Sequence, residues 1–226
     1  MTDSSLPELP PGAFAKADPS PDAEFYAEPR FVTHIDEDAV AVVTGLYREL
    51  FPAGGVVLDL MSSWVSHLPD DVRYAEVIGH GMNAAELEAN PRLSRWFVQD
   101  LNRDPALPLG DGSVDAAAIC VSIQYLQQPV TVLREVARVL RPDGGVVAVT
   151  FSNRCFPTKA VAIWQALDGR DQCGLVALYL QRAGFGAVQA QELAPPNCPN
   201  GDPLWAVTGR TGDGASVGAG RAESGR

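Results

Sequence analysis

Short apolar runs alternate with amphipathic stretches between Asp36 and Thr208, and this alternation sets the expected elements. Val40, Val43, Leu46, Tyr47 and Leu50 recur at helical spacing behind Asp36, whose carboxylate suits an N-cap. Gly54-Gly55 stops that helix, and Val56–Leu60 reads as a short buried strand. After the Pro69-Asp70-Asp71 turn, Tyr74 to Gly79 predicts a second strand. Asn83 then caps a short helix through Ala89, halted at Asn90-Pro91. Trp96 to Gln99 predicts a third strand and Ala116 to Val121, opened by Asp115, a fourth. Pro129 belongs in the first turn of a helix whose apolar face is Val132, Leu133, Val136, Ala137 and Leu140. Pro142-Asp143-Gly144-Gly145 ends it, and Val146 to Phe151 is a fifth strand. Helices around Lys159–Leu167 and Leu175–Ala183 follow, with Gly184 at the C′ position of the second. Ala187–Leu193 and Leu204–Thr208 close the pattern as two strands.

Buried strands alternating with amphipathic helices predict an α/β fold, a doubly wound, mostly parallel sheet of about seven strands with helices on both faces. Ligands bind such sheets beyond the carboxyl ends of the strands. Five segments are therefore where chemistry is expected: Met61–Leu68, His80–Asn83, Asp100–Asn102, Ser122–Tyr125 and Ser152–Phe156. The ends of the chain lack this pattern. Residues 1–22, rich in Pro, Ser and Asp, read as a flexible lead-in, residues 23–211 as the domain, and residues 212–226 as a disordered Gly/Ala/Ser tail.

Composition narrows the partners. With 46% hydrophobic and 20% charged residues among 226, the chain is of globular type. Its formal charge of −11 disfavours a nucleic-acid backbone or an anionic membrane surface, since both would repel it. No run approaches the ~20 apolar residues of a membrane span, and no basic-then-apolar leader opens the sequence. Cys120, Cys155, Cys173 and Cys198 form no C-x-x-C pair, so reduced thiols, a cytoplasmic location and no metal site are expected.

The series VVLDL, VIGHGMN, VQDLNRDPALPLGDGSVDAAAICVSIQYL and VLREVARVLRPDGGVVAVTF resembles the S-adenosylmethionine-dependent methyltransferases of the Rossmann-like class, of the type 11-like kind. The resemblance implies a sheet whose last two strands form an antiparallel final hairpin, S-adenosylmethionine as cofactor and a small-molecule methyl acceptor. It places Asp59, Met61, Ser62 and Ser63 at the loop beside the methionine part of the cofactor. His80, Gly81 and Met82 fall where the ribose is held. Asp100 and Leu101 fall at the adenine, and Ser122 lines the floor. Tyr26, Arg30 and His34 lie in a segment that in the family often folds over the site. Two positions depart from the family pattern. Its first loop is glycine-rich, whereas here Met61-Ser62-Ser63-Trp64-Val65-Ser66-His67 holds no glycine. Its second strand ends in an acidic residue, whereas here Gly81 stands there.

An oxygen nucleophile would need a base, and His34 and His67 are the candidates, because imidazole titrates near neutrality. Tyr125 and Arg154 are candidates to orient the acceptor. Each has a plainer reading: a rim histidine, a core tyrosine, or an arginine paired with a surface carboxylate. The alternative function is a non-catalytic methyltransferase-like module in which Trp64 or Met61 fills the cofactor volume. A nicotinamide dehydrogenase, a P-loop nucleotidase and an α/β-hydrolase are disfavoured, since G-x-G-x-x-G, G-x-x-x-x-G-K-[ST] and G-x-S-x-G are all absent.

Overall fold

The computed structural model describes residues 6–195 and 201–212. Five strands run parallel: β1 (Val56–Leu60), β2 (Glu76–Gly81), β3 (Arg95–Val98), β4 (Ala116–Cys120) and β5 (Val146–Phe151). β7 (Leu204–Arg210) pairs antiparallel with β5, and β6 (Gly186–Ala194) antiparallel with β7. The sheet order is β3-β2-β1-β4-β5-β7-β6. The order reverses between β1 and β4, and this opens a crevice at the carboxyl edge.

Side chains of each strand alternate between two cores. Leu58 and Leu60 join one face with Ile119, Val147 and Val149. Val57 joins the other with Ala116, Ala118 and Ala148. α4 (Pro129–Val139) and α6 (Gly169–Ala183) cover the first face, and α2 (Glu37–Leu50) covers the second. Val130, Val132, Leu133, Val136 and Val139 of α4 are fully buried. Each such side chain contributes about 1.5–3 kcal/mol of burial. The helix ends follow local chemistry. The Asp36 carboxylate accepts from the Ala39 N–H at 2.9 Å, and Pro129 opens α4. Gly184 closes α6 at φ +98°, a left-handed position that favours glycine.

Several boundaries differ from the sequence expectation. β2 runs on to Gly81, because Gly79 is a close-approach glycine rather than a turn. A Cβ there would lie 2.3 Å from a Leu93 methyl. α6 starts six residues before the expected Leu175, behind Asp168, which accepts from the Asp171 N–H. Its polar first turn carries no apolar period. The helix expected over Lys159–Leu167 is one turn, α5 (Ala162–Gln165).

The expected flexible lead-in is corrected from residue 6 on. Leu6, Ala13 and Phe14 are buried in the main core. Ala162 N–H donates to the Ala15 carbonyl and Ile163 N–H to that of Ala13. A short helix, α1 (Asp22–Phe25), follows. Three apolar anchors among prolines fix this segment without any periodicity for the sequence to display. The tail expected over 212–226 lies, from residue 213, outside the described residues, as does Cys198. Among the described residues no helix is long and apolar enough to cross a membrane.

Candidate active site

A cavity of about 620 Å³ opens at the carboxyl edge of the sheet, within the range of roughly 300–1,000 Å³ usual for small-molecule sites. The ends of β1, β2, β4 and β5, the residues after β3, the start of α3 (Ala84–Ala89), and a lid of α1 with residues 26–36 line it.

The floor begins at Asp59, the penultimate residue of β1. Its carboxylate is buried and accepts from Ser62 Oγ at 2.6 Å and Ser66 Oγ at 2.5 Å. Asn90 Nδ2 donates in turn to Ser66 Oγ at 3.0 Å. Burial raises the Asp59 pKa, and the two hydroxyls pull it partly back. Met61 turns the chain at φ +58°, where a glycine would be unstrained. Its N–H donates to His80 Nδ1 at 3.1 Å. His80 Nε2 lies 3.0 Å from the Gln99 carbonyl. A carbonyl only accepts, so Nε2 carries the proton and Nδ1 is the acceptor. The ring therefore clamps the β1 loop to the residues after β3, and burial drives its pKa down to about 4. The loop crosses the end of β2 so closely that a Cβ on Gly81 would sit 2.6 Å from the Ser62 carbonyl oxygen. The connection from residue 61 to 75 contains no helix.

α3 holds the lid down. Asn83 Oδ1 caps the helix through the Ala85 and Glu86 N–H groups, while its Nδ2 donates to the Tyr26 and Ala27 carbonyls at 3.0 Å each. Glu86 accepts from the Arg30 N–H at 2.6 Å and from Ser63 Oγ at 2.8 Å. Trp64 Nε1 donates to the Val32 carbonyl, and its ring meets Phe31 edge-on. Trp64 thus lies on the rim and does not line the cavity, so it does not fill the volume assigned to it by the non-catalytic reading. Behind the lid, Lys159 is fully buried. Its ammonium reaches the Ser20 carbonyl at 2.8 Å, Asp18 at 3.1 Å and Asp22 at 3.4 Å. Lys16 pairs with Asp22 at 2.5 Å.

The β4–β5 side is aromatic. Phe156 packs against Phe25, Tyr26, Tyr125 and His34, with ring centroids 5.2–6.5 Å apart. Tyr125 Oη accepts from the Phe156 N–H at 2.9 Å. Burial lowers the His34 and His67 pKa values; nearby His34 lowers that of His67 further, while at His34 Glu86 opposes the shift and Arg30 adds to it. Val121 sits at φ +43°, a strained value for a β-branched residue. Next to it, Ser122 Oγ is buried without a hydrogen-bond partner, as is Arg30 Nη1 in the lid. Arg154, mostly exposed, pairs with Asp202 at 2.7 Å. The Asp36 and Asp202 carboxylates each accept from the other's backbone N–H.

All the residues singled out in the sequence line this one cavity: His34, His67, Tyr125, Arg154, Asp59, Met61, Ser62, Ser63, His80, Gly81, Met82, Asp100, Leu101 and Ser122. Sequence reading did not single out Glu86, which is nearly buried at the cavity wall. Its position three residues after an N-cap asparagine was the available signal. Asp202 was missed too. It lies in the connection between the antiparallel strands β6 and β7, just before β7. Among the described residues no cluster of three His, Cys, Asp or Glu could hold a metal ion.

Residues 61–148 match the model of a methyltransferase domain family. No curated protein matches the sequence. Solved structures share the fold. A [4+2]-cyclase, SpnF, is 17% identical with a TM-score of 0.55, over 75% of this chain and 80% of its own. An S-adenosylmethionine-dependent methyltransferase from Mesorhizobium loti is 16% identical with a TM-score of 0.54, over 75% and 97%. A methyltransferase of the same dependence from Aquifex aeolicus is 17% identical with a TM-score of 0.53, over 85% and 98%. Over residues 61–148 the chain is thus similar to a methyltransferase domain, and its sheet order and the place of its cavity are those of the Rossmann-like methyltransferase fold.

Proposed function

We propose that this chain holds S-adenosylmethionine in the strand-edge cavity and transfers its methyl group to a small molecule. The carrying observation is the cavity's charge inventory. Among the described residues, Asp59, Glu86 and Asp100 line it and pair with no Lys or Arg. Such a wall is the complement of a ligand that carries excess positive charge, as a sulfonium amino acid does.

The family's glycine-loop geometry is achieved here by other means. Met61 adopts the left-handed turn, and Ser62 and Ser63 donate their hydroxyls to Asp59 and Glu86. In this reading Asp59, Met61, Ser62 and Ser63 hold the methionine part, Asp100 accepts from the adenine amino group, and Ser122 closes the floor. The cofactor supplies an activated methyl carbon whose bond to sulfur breaks as the acceptor's electron pair arrives. The chain's part is alignment and exclusion of water by the lid. His34 and His67, neutral at pH 7, take the proton of an oxygen or nitrogen acceptor. Tyr125 and Arg154 fix its orientation.

The test follows tritiated methyl from labelled cofactor into the low-molecular-mass fraction of a deproteinised cell extract. Label is expected to move with the wild-type protein and to fall about a hundredfold in His34→Gln, the usual weight of a general base. Cofactor binding without any turnover would instead support the non-catalytic reading. One observation favours that second reading: the β1 loop presses its own backbone onto Gly81, where the family presents an acidic side chain.

A further inference from the structure

The lid's arginine is held like a tool with one free end. The Arg30 guanidinium carbon stands 4.5 Å from the ring centroid of Phe25, 5.4 Å from Phe156 and 5.7 Å from Tyr26. Nη2 donates to the Phe25 carbonyl at 2.8 Å. Stacking and this bond fix the plane of the fork. Nη1 is buried and donates to nothing. The acids nearby are already committed. Glu86 accepts from the Arg30 backbone and from Ser63, and Asp22 serves Lys16, Lys159 and Asn102. A buried cationic donor left open costs free energy, so the site awaits an acceptor atom from a ligand.

Resting on the methyltransferase reading, we propose that Arg30 selects the methyl acceptor by its carboxylate. Phe156, which carries the stack, follows β5, and Tyr125 beside it follows β4. That is the aromatic side of the cavity. The surrounding wall, with Glu86 and Asp59, disfavours a dianion, and one open N–H direction suits one oxygen of a monoanion. The rings give the rest of the acceptor a flat apolar surface. The acceptor class is therefore a small aromatic or apolar carboxylic acid.

Benzoate, its neutral isostere benzamide and the cation benzylamine are the probes, titrated calorimetrically into the full chain with and without saturating S-adenosylhomocysteine. Benzoate is expected to bind about tenfold or more tighter than benzamide, benzylamine weakest. Arg30→Lys keeps part of the preference, Arg30→Gln loses it, and Arg95→Gln, an exposed residue paired with Glu76, behaves as wild type. Equal or tighter binding of benzamide or benzylamine would overturn the proposal. So would absence of benzoate binding at about 10 mM, or a preference that survives in Arg30→Gln. Loss of S-adenosylhomocysteine binding in Arg30→Gln with benzoate binding intact would reassign the guanidinium to the cofactor. If wild type binds no S-adenosylhomocysteine, the methyltransferase reading fails, while the benzoate series without it still decides the role of Arg30.

Discussion

His80 shows how one residue can be legible as a position and not as a role. The strand pattern placed it at the ligand edge. Its two ring bonds, to Met61 and to the Gln99 carbonyl, depend on which strand ends become neighbours, and no local pattern carries that. The burial of the ring has a measurable signature. The folded-state pKa lies near 4, below the ordinary value of 6.5, so the ring is neutral in both states above pH 6.5 and its contribution to stability is complete there. As pH falls from 6.5 toward 4, the unfolded chain takes up a proton that the folded chain refuses, and stability drops by up to about 1.4 kcal/mol per pH unit. Asp59, with its raised pKa, works in the opposite direction. Urea unfolding at pH 7.5 and 5 is therefore expected to show a steeper loss for wild type than for His80→Gln. Gly81 gives a second residue-scale outcome. Gly81→Asp, which restores the family's acidic residue, is expected to cost about 1–3 kcal/mol, because its Cβ meets the Ser62 carbonyl. It is not expected to tighten cofactor binding. Equal or higher thermal stability in Gly81→Asp would show that the loop is not pressed onto the strand.

Elements with a clean period were readable, and elements fixed by single contacts were not. β5 and the start of α4 fall where the sequence put them, since six buried strand residues and an N1 proline leave no competing pattern. The lid is the opposite case. Its attachment consists of Asn83 to two carbonyls, Glu86 to the Arg30 N–H and Trp64 to the Val32 carbonyl, all long-range bonds from residues that look like ordinary cap and surface positions. Asn83→Ala removes the α3 cap and both lid bonds. It is expected to lower stability by about 1–2 kcal/mol and to raise amide exchange selectively over residues 26–34. Exchange that rises only within α3 would separate the cap from the lid. Lys159→Met leaves Asp18 without its buried partner, though Asp22 keeps Lys16. A loss of about 3 kcal/mol is expected, read from the urea midpoint. A loss near zero would mean that the ammonium does not anchor the lid.

At the scale of the whole molecule, the mostly parallel sheet and the strand-edge segments were legible from alternation, while the strand order that opens the crevice between β1 and β4 was not. What the crevice holds was not legible in that way. The deciding groups are Glu86 on a short helix and Arg30 on a segment without periodicity, and only folding sets them against Asp59 and Asp100. The chain as a whole carries a charge of −11, yet the feature with chemical meaning is the local imbalance inside the cavity. The most direct test is a calorimetric titration of the full chain with S-adenosylhomocysteine. The expected result is saturable one-to-one binding, with a dissociation constant of about 1–100 μM, weakened about tenfold or more in Asp59→Asn and Asp100→Asn. A folded protein that gives no binding heat and no thermal shift at about 1 mM ligand would contradict it.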